Sequence, residues 1–432
     1  MNMLMFLIII LAYIVVIGIL NEKIFHLQSD IALIAFSLLF SVILLFVKPL
    51  FPNAAPTVII QGLENFGFRE YLMDGVLCFM LFAGASKVNM GKFKKNFRAI
   101  SLLALLTTLL SSFLYGLLFF GVAKLLHIPM DIWMCILLGC VVSPTDPIAA
   151  TGILNKIGLS KNVCSVIENE SLFNDGTGVT LFIFVRSVIV HSGDSNFAVL
   201  MIKEIGGAVA VAFAVSFVMF SLMKLTKDPI KYILISLLDV AAVYVICEHF
   251  GFSGVIASVV CGMFFSYCME KMKRTITVVD PENYYHDFWE IIENILNSVL
   301  FVMIGLLVLS MRLSPYALIA VPAAILILIL SRAAGVTVST ALSGKRIPGN
   351  YDRKEFVILM TWSALKGGLS MALALETAEY LSEDIYQVFT NVAYATIFFT
   401  VLVQGLTIKR VYFALEKHKA NRLCKRNTSE RA

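Results

Sequence analysis

Charge is scarce in this chain. Only 15% of its 432 residues are Asp, Glu, Lys or Arg, against about 25% in an ordinary soluble domain. A soluble fold of this length could bury a large core, but it would still need a polar surface, so lipid must cover much of the exterior. Histidine is rare, at 6 residues, and the 8 cysteines stand at no metal-like spacing. Seven of those cysteines fall in or at the ends of apolar segments and read as small packing residues, with no disulfide needed. No GxxxxGK[ST] phosphate loop is present, which excludes transport driven directly by ATP. The longest loop, near 270–287, is too short for a soluble module.

What fills the chain instead is apolar sequence, 59% of all residues. One membrane-spanning helix needs roughly 20 mostly apolar residues. Such runs are predicted at 3–20, 31–47, 71–86, 99–123, 132–154, 165–190, 201–223, 232–250, 253–269, 288–311, 316–340, 355–378 and 385–408, about thirteen helices in all. The run over 1–20 lacks a basic leader and a small-residue cleavage site, so it reads as a retained first helix. The predicted organisation is a transmembrane domain over 1–408 and a short basic tail over 409–432.

Basic residues orient these helices. With the N-terminus outside, the inner loops collect Lys87, Lys92, Lys94, Lys95 and Arg98, then Lys156 and Lys161, Lys224, Lys227 and Lys231, Lys271 and Lys273, and Arg353 and Lys354. The tail adds Lys409, Arg410, Lys417, Lys419 and Arg422 to the same side. The outer loops hold only Lys48, Arg69, Lys124, Lys203 and Arg312. This asymmetry is the positive-inside pattern and puts the C-terminus in the cytoplasm. It also accounts for the net charge of +5 through topology and anionic lipid, and nucleic acid is not an expected partner.

Ionisable groups within such helices are costly and mark function. The fifth predicted helix contains Ser143-Pro144-Thr145-Asp146-Pro147. Two prolines remove two backbone donors and break the ladder around an acid, and a break at membrane depth is tolerated only where it faces protein or a cavity. Freed carbonyls, the Thr145 hydroxyl and the Asp146 carboxylate are all oxygen ligands suited to a hard cation. The sixth helix opens with Glu170-Ser171-Leu172-Phe173-Asn174-Asp175. Helical spacing aligns Ser171 with Asp175 and Glu170 with Asn174. Arg332 and Lys366 are buried cations in need of partners, and Glu170 is the candidate for Arg332. Gly367-Gly368 marks a second break, and matched breaks point to a midplane site between inverted repeats of six helices. The bland alternatives are a proline kink with a satisfied Asp, a capped helix start, a packing cation at Arg332 and a snorkelling Lys366. Asp239, Glu290, Glu293 and Arg186 read as interfacial or helix-pairing residues.

Taken together, Ser143-Pro144-Thr145-Asp146-Pro147 and Glu170-Ser171-Leu172-Phe173-Asn174-Asp175 resemble the sodium/proton exchanger superfamily, in its monovalent cation:proton antiporter-1 (NhaP- and NHE-like) branch. The segments around Arg332 and Trp362-Ser363-Ala364-Leu365-Lys366-Gly367-Gly368 look like that family's too, in the same order along nearly the whole chain. The resemblance implies an all-α membrane protein of thirteen helices with broken crossing helices five and twelve, a core and a dimerisation domain, a homodimer and an elevator movement. It also implies that Asp175 is the exchanged carboxylate, with Asp146, Ser171 and Thr145 as further ligands. Asn174 would organise the crossing, and Glu170 would pair with Arg332. An Asn-Asp pair implies electroneutral exchange in this family. Two positions depart from the pattern: Lys366 stands where the family usually has Arg, and Ala83 where some members carry a Glu.

The expected function is exchange of a monovalent cation (Na⁺, with Li⁺) for H⁺ across the cell membrane, serving pH homeostasis, with no cofactor and no enzymatic activity. A K⁺/H⁺ antiporter on the same fold is the nearest alternative. A passive cation channel and an intramembrane aspartyl hydrolase are the distant ones.

Overall fold

The computed structural model describes residues 3–47, 75–88, 100–190, 197–273, 281–344, 349 and 351–429, and the regular structure among them is helical, with no strand. Ten of the described helices are long and apolar enough to cross a membrane. In chain order the helices are α1 (Met3–Leu20), α2 (Ser29–Val47), α3 (Leu77–Ser86), α4 (Thr107–Leu125), α5 (Ile132–Val142), α6 (Pro147–Lys156), α7 (Lys161–Val190) and α8 (Phe197–Met223). They continue with α9 (Pro229–His249), α10 (Gly254–Lys273), α11 (Pro281–Leu307), α12 (Ala317–Ser343), α13 (Arg353–Trp362), α14 (Gly368–Glu376), α15 (Glu383–Phe398) and α16 (Gly405–Ser429).

Local chemistry sets several starts. Asp131 caps α5 by accepting from the Met134 N–H at 2.8 Å. Asp228 caps α9, with Pro229 in the first turn where its missing N–H costs nothing. Asp352 and Glu355 form a reciprocal capping box on α13.

Three of the boundaries that differ from those predicted bear on the site or the tail. α7 begins at Lys161 rather than near 165, so the acidic motif lies inside the helix, not at its first turn. α11 begins at Pro281, about two turns before the apolar run. The last helix does not end near 408: α16 runs to Ser429. Its polar part is held by tertiary contacts that hydropathy does not register. Arg422 meets Glu355 at 2.8 Å and the Tyr351 hydroxyl donates to Glu416 at 2.5 Å. The predictions for Lys92, Lys94, Lys95, Arg98 and the start of the third helix fall outside the described residues.

Two groups of helices can be distinguished by packing. α8, α9 and α10 pack on one another and on α3 and α11, around a cluster that includes Phe82, Phe265, Tyr285 and Trp289. α4, α5, α7, α12, α13, α14 and α15 form the other group, and α16 lies across α6 and α13. Close approach in this second group depends on small residues. A Cβ on Gly116 of α4 would stand 2.5 Å from the Ile136 Cα, whereas one on Gly121 would meet nothing within 4 Å. Gly116→Leu should therefore lower the thermal midpoint sharply, by the equivalent of about 1–3 kcal/mol or more. Gly121→Leu, on the exposed side of the same helix, should leave it almost unmoved.

Candidate ion site

The first break spans residues 143–146, between α5 and α6. Pro147 has no N–H for the Ser143 carbonyl that stands four residues before it, and Pro144 has none for Cys140. The second break spans residues 363–367, between α13 and α14, where Gly367 takes up an extended backbone. The two interruptions meet. The Asp146 N–H donates to the Leu365 carbonyl at 2.8 Å. The Lys366 ammonium donates to the freed Ser143 carbonyl at 2.8 Å, and the Lys366 N–H donates to Thr400 Oγ1 at 3.0 Å. Buried main-chain groups released by the breaks are thus paired across the crossing. Glycine is required at 367 because a Cβ there would lie 2.9 Å from both Cβ and Oδ2 of Asp146.

α7 runs beside this crossing and supplies the rest. The Asn174 amide is engaged at both ends. Its Nδ2 donates to Thr145 Oγ1 at 2.9 Å and reaches the Ser143 carbonyl at 3.3 Å, and its Oδ1 lies 2.6 Å from the Thr108 hydroxyl on α4. Asn174 is therefore a brace between three elements. Ser171 Oγ donates to the Thr145 carbonyl and lies 2.9 Å from Thr145 Oγ1. Glu170 Oε1 lies 2.9 Å from Arg332 Nη1, with both side chains buried, which is the pairing that the sequence suggested. Lys366 is 2% exposed and directed at the crossing, so it does not snorkel to an interface.

Thr145, Asp146 and Asp175 line one cavity of about 930 Å³, whereas Ser171 stands behind Thr145 and outside the lining. Asp175 feels the charges of Asp146, Lys366 and Glu170, and the Thr145 main chain hydrogen-bonds to it. The facing wall comes from α3 and α11, through Leu77, Met80, Leu81, Gly84, Glu293 and Asn297. The cavity extends to Lys161, Glu168 and Glu290, all exposed. Ala83 is fully buried in the cluster on the other side of α3 and does not line it.

Glu293 is a site residue whose weight sequence reasoning missed. It pairs with Lys87 at 2.5 Å, which fits a helix-pairing role, but it also lines the cavity. The available signal was an acid four residues before Asn297 on one helical face. Arg186 pairs with Glu376 at 2.6 Å. Asp239 accepts from Ser216 and Cys261 at 2.9 and 2.6 Å, away from the cavity.

Interrupted helices crossing at a pair of aspartates, in one cavity of a multi-pass helical protein, define the architecture of a secondary transporter. The transmembrane sodium/hydrogen exchanger family profile matches residues 6–414, and the chain belongs to that family, whose members are transporters and not enzymes. It is 29% identical over 412 residues to the Na(+)/H(+) antiporter NhaP of Pseudomonas aeruginosa, covering 91% of this chain and 93% of that protein. It is 30% identical over 355 residues to sodium/hydrogen exchanger 8 of Arabidopsis thaliana, covering 78% of this chain and 46% of that one, so it spans about half the length of the plant relative. Its fold matches the sodium proton antiporter MjNhaP1 from Methanocaldococcus jannaschii with a TM-score of 0.75 at 17% identity, covering 96% of this chain and 99% of that structure.

Proposed function

We propose that the protein exchanges Na⁺, and Li⁺ with it, for H⁺ at a single site built on Asp175 and Asp146. The observation that carries this reading is the convergence of both carboxylates on one cavity at the crossing of the two breaks. Protons and a hard monovalent cation compete for the same oxygens. Thr145 adds a hydroxyl and a main-chain carbonyl, and Ser171 orients both from behind. Asn174, engaged at both ends, holds the crossing, and Arg332 neutralises Glu170. Lys366 stabilises the broken end of α5, where carbonyl dipoles gather.

Exchange is electroneutral, one cation for one proton, as the Asn174-Asp175 pair implies by its resemblance to the electroneutral members of the family. The group containing α4 to α7 and α12 to α14 moves as an elevator against the group containing α8 to α11. The breaks at 143–146 and 363–367 occupy matching places in two inverted six-helix repeats of a thirteen-helix fold. The chain works as a homodimer in the cell membrane for pH homeostasis, with its N-terminus outside and the 409–432 tail in the cytoplasm. The cavity then faces the cytoplasm. No cofactor is needed, since the ion gradients supply the work.

The test is a pH-sensitive dye trapped in proteoliposomes, with Na⁺, Li⁺ or K⁺ salts added outside in turn. Na⁺ and Li⁺ should collapse a proton gradient at rates that an imposed membrane potential does not change. A rate that follows the potential would overturn electroneutrality, and a response to K⁺ alone would replace the substrate.

A further inference from the structure

The cavity runs along one face of α7 from its mouth to Asp175. Lys161, Ser165, Asn169 and Leu172 stand at successive turns of that face, and all of them line the cavity. Lys161 is exposed at the mouth, whereas Asn169 is 5% exposed. Only six residues, about 9 Å of helix, separate Asn169 from Asp175. The Asn169 amide is held at one end. Its Nδ2 donates to the Ser165 carbonyl at 2.6 Å and to Ser165 Oγ at 3.1 Å, which uses both N–H groups. A main-chain carbonyl only accepts, so the nitrogen must be the atom that faces it. The other end of the amide, Oδ1, is buried and has no partner among the described residues. Buried acceptors rarely go unpaired. The free atom is an amide oxygen, a ligand type that hard cations favour. The side chain that carries it cannot turn without giving up two hydrogen bonds.

We propose that Asn169 Oδ1 is a cation ligand on the leg between the cavity mouth and the transport site, where it takes a partly hydrated Na⁺ or Li⁺ before the ion reaches Asp146 and Asp175. One neutral oxygen replaces one water of the ion's shell, and water in the cavity would supply the rest. Leu77, Leu81 and Leu172 line the same cavity, and apolar walls leave the attraction between ion and amide dipole weakly screened. Because the amide carries no charge, it holds the ion loosely enough to pass it on, as a conducting path requires. The two carboxylates under two turns farther along attract the ion more strongly. A carboxylate at position 169 would instead compete with Asp175.

This inference rests on Asp146 and Asp175 being the transport site, so the experiment includes protein from which that site has been removed. Wild type, Asn169→Ala, Asn169→Asp, Asp175→Asn and the doubles Asp175→Asn/Asn169→Ala and Asp175→Asn/Asn169→Asp are purified and checked for a monodisperse elution profile. Their thermal midpoints are followed as NaCl replaces choline chloride at constant ionic strength, since an ion that binds the folded protein raises the midpoint. Asp175→Asn should keep a Na⁺-dependent rise, but only at Na⁺ concentrations well above those that act on wild type, and the double with Asn169→Ala should lose it. The double with Asn169→Asp keeps an oxygen ligand and gives up both donated bonds, so it should retain the rise. In proteoliposomes, Asn169→Ala should lower the exchange rate at limiting Na⁺ about fivefold, the scale of one lost polar contact, and leave the saturated rate within about twofold. No rise in Asp175→Asn beyond that with choline, or an equal rise in its double with Asn169→Ala, would mean that Oδ1 holds only water and would overturn the proposal. Loss of the rise in both doubles would make Asn169 a brace on Ser165 and overturn it too. Exchange that survives in Asp175→Asn would overturn the transport-site reading instead, and the thermal midpoints would still decide on Asn169.

Discussion

Asp175→Asn is expected to abolish cation-driven proton movement while leaving a folded protein of unchanged elution volume. The substitution keeps the shape of the side chain and removes both of the things that exchange needs from it. An amide does not titrate near neutral pH, so it cannot release a proton to an arriving ion. It also lacks the charge that holds the ion. At about 4 Å and an effective dielectric constant near 20, a carboxylate attracts a monovalent cation by about 4 kcal/mol, close to three decades in affinity. The neighbours that hold the crossing do not depend on this side chain, since Asn174, Ser171 and Lys366 are anchored on Thr145 and Ser143. Asp146→Asn should weaken exchange as well, yet keep the crossing, because the bond from residue 146 to Leu365 is made by the main chain. Robust Na⁺-driven exchange by Asp175→Asn in proteoliposomes would remove Asp175 from the site.

Much of this site can be read from the chain because its causes are local. Pro144 and Pro147 break a helix wherever they stand in an apolar run, and an acid placed between them has few bland explanations. The Glu170–Arg332 pairing is suggested by a buried cation's need for a partner, and the family resemblance implies the same pair. What the sequence does not disclose is which distant group takes up each freed atom. Nothing near Ser143 points to Lys366, more than two hundred residues away, as the donor to its carbonyl. Helical spacing aligned Ser171 with Asp175, but the Ser171 hydroxyl turns instead to Thr145, because the unwound carbonyl of residue 145 is an acceptor that an intact helix would not offer. Lys87 illustrates a different limit. Counted as a loop charge it reports topology, and only the fold reveals that it folds back onto Glu293. The extent of α16 was missed for a similar reason, since its last turns are stabilised by Glu355 and Tyr351 on other segments and not by apolar periodicity.

The pair formed by Glu170 and Arg332 should show the largest non-additivity in the molecule. Their charged atoms stand 2.9 Å apart, and the side chains are 2% and 6% exposed. Removing one partner leaves a buried charge without compensation, which typically costs about 3–5 kcal/mol. Here the damage would spread to the ion site, because Lys366 feels the charges of both Glu170 and Arg332. In Arg332→Met the unpaired Glu170 would draw the Lys366 ammonium from the Ser143 carbonyl and unpin the crossing. In Glu170→Gln the unpaired guanidinium would repel that ammonium. Each single variant should therefore unfold at a markedly lower temperature and lose most Na⁺-driven exchange. The double variant Glu170→Gln/Arg332→Met removes both charges together, and well-packed neutral replacements of buried pairs are often close to neutral in stability. Its thermal midpoint should return to near that of the wild type, with more exchange than either single variant retains. The measurement is a double-mutant cycle on thermal midpoint and on proteoliposome exchange, which isolates the coupling between the two residues. Losses that simply add would mean that Glu170 and Arg332 act separately, and that Lys366 is held by the Ser143 carbonyl alone.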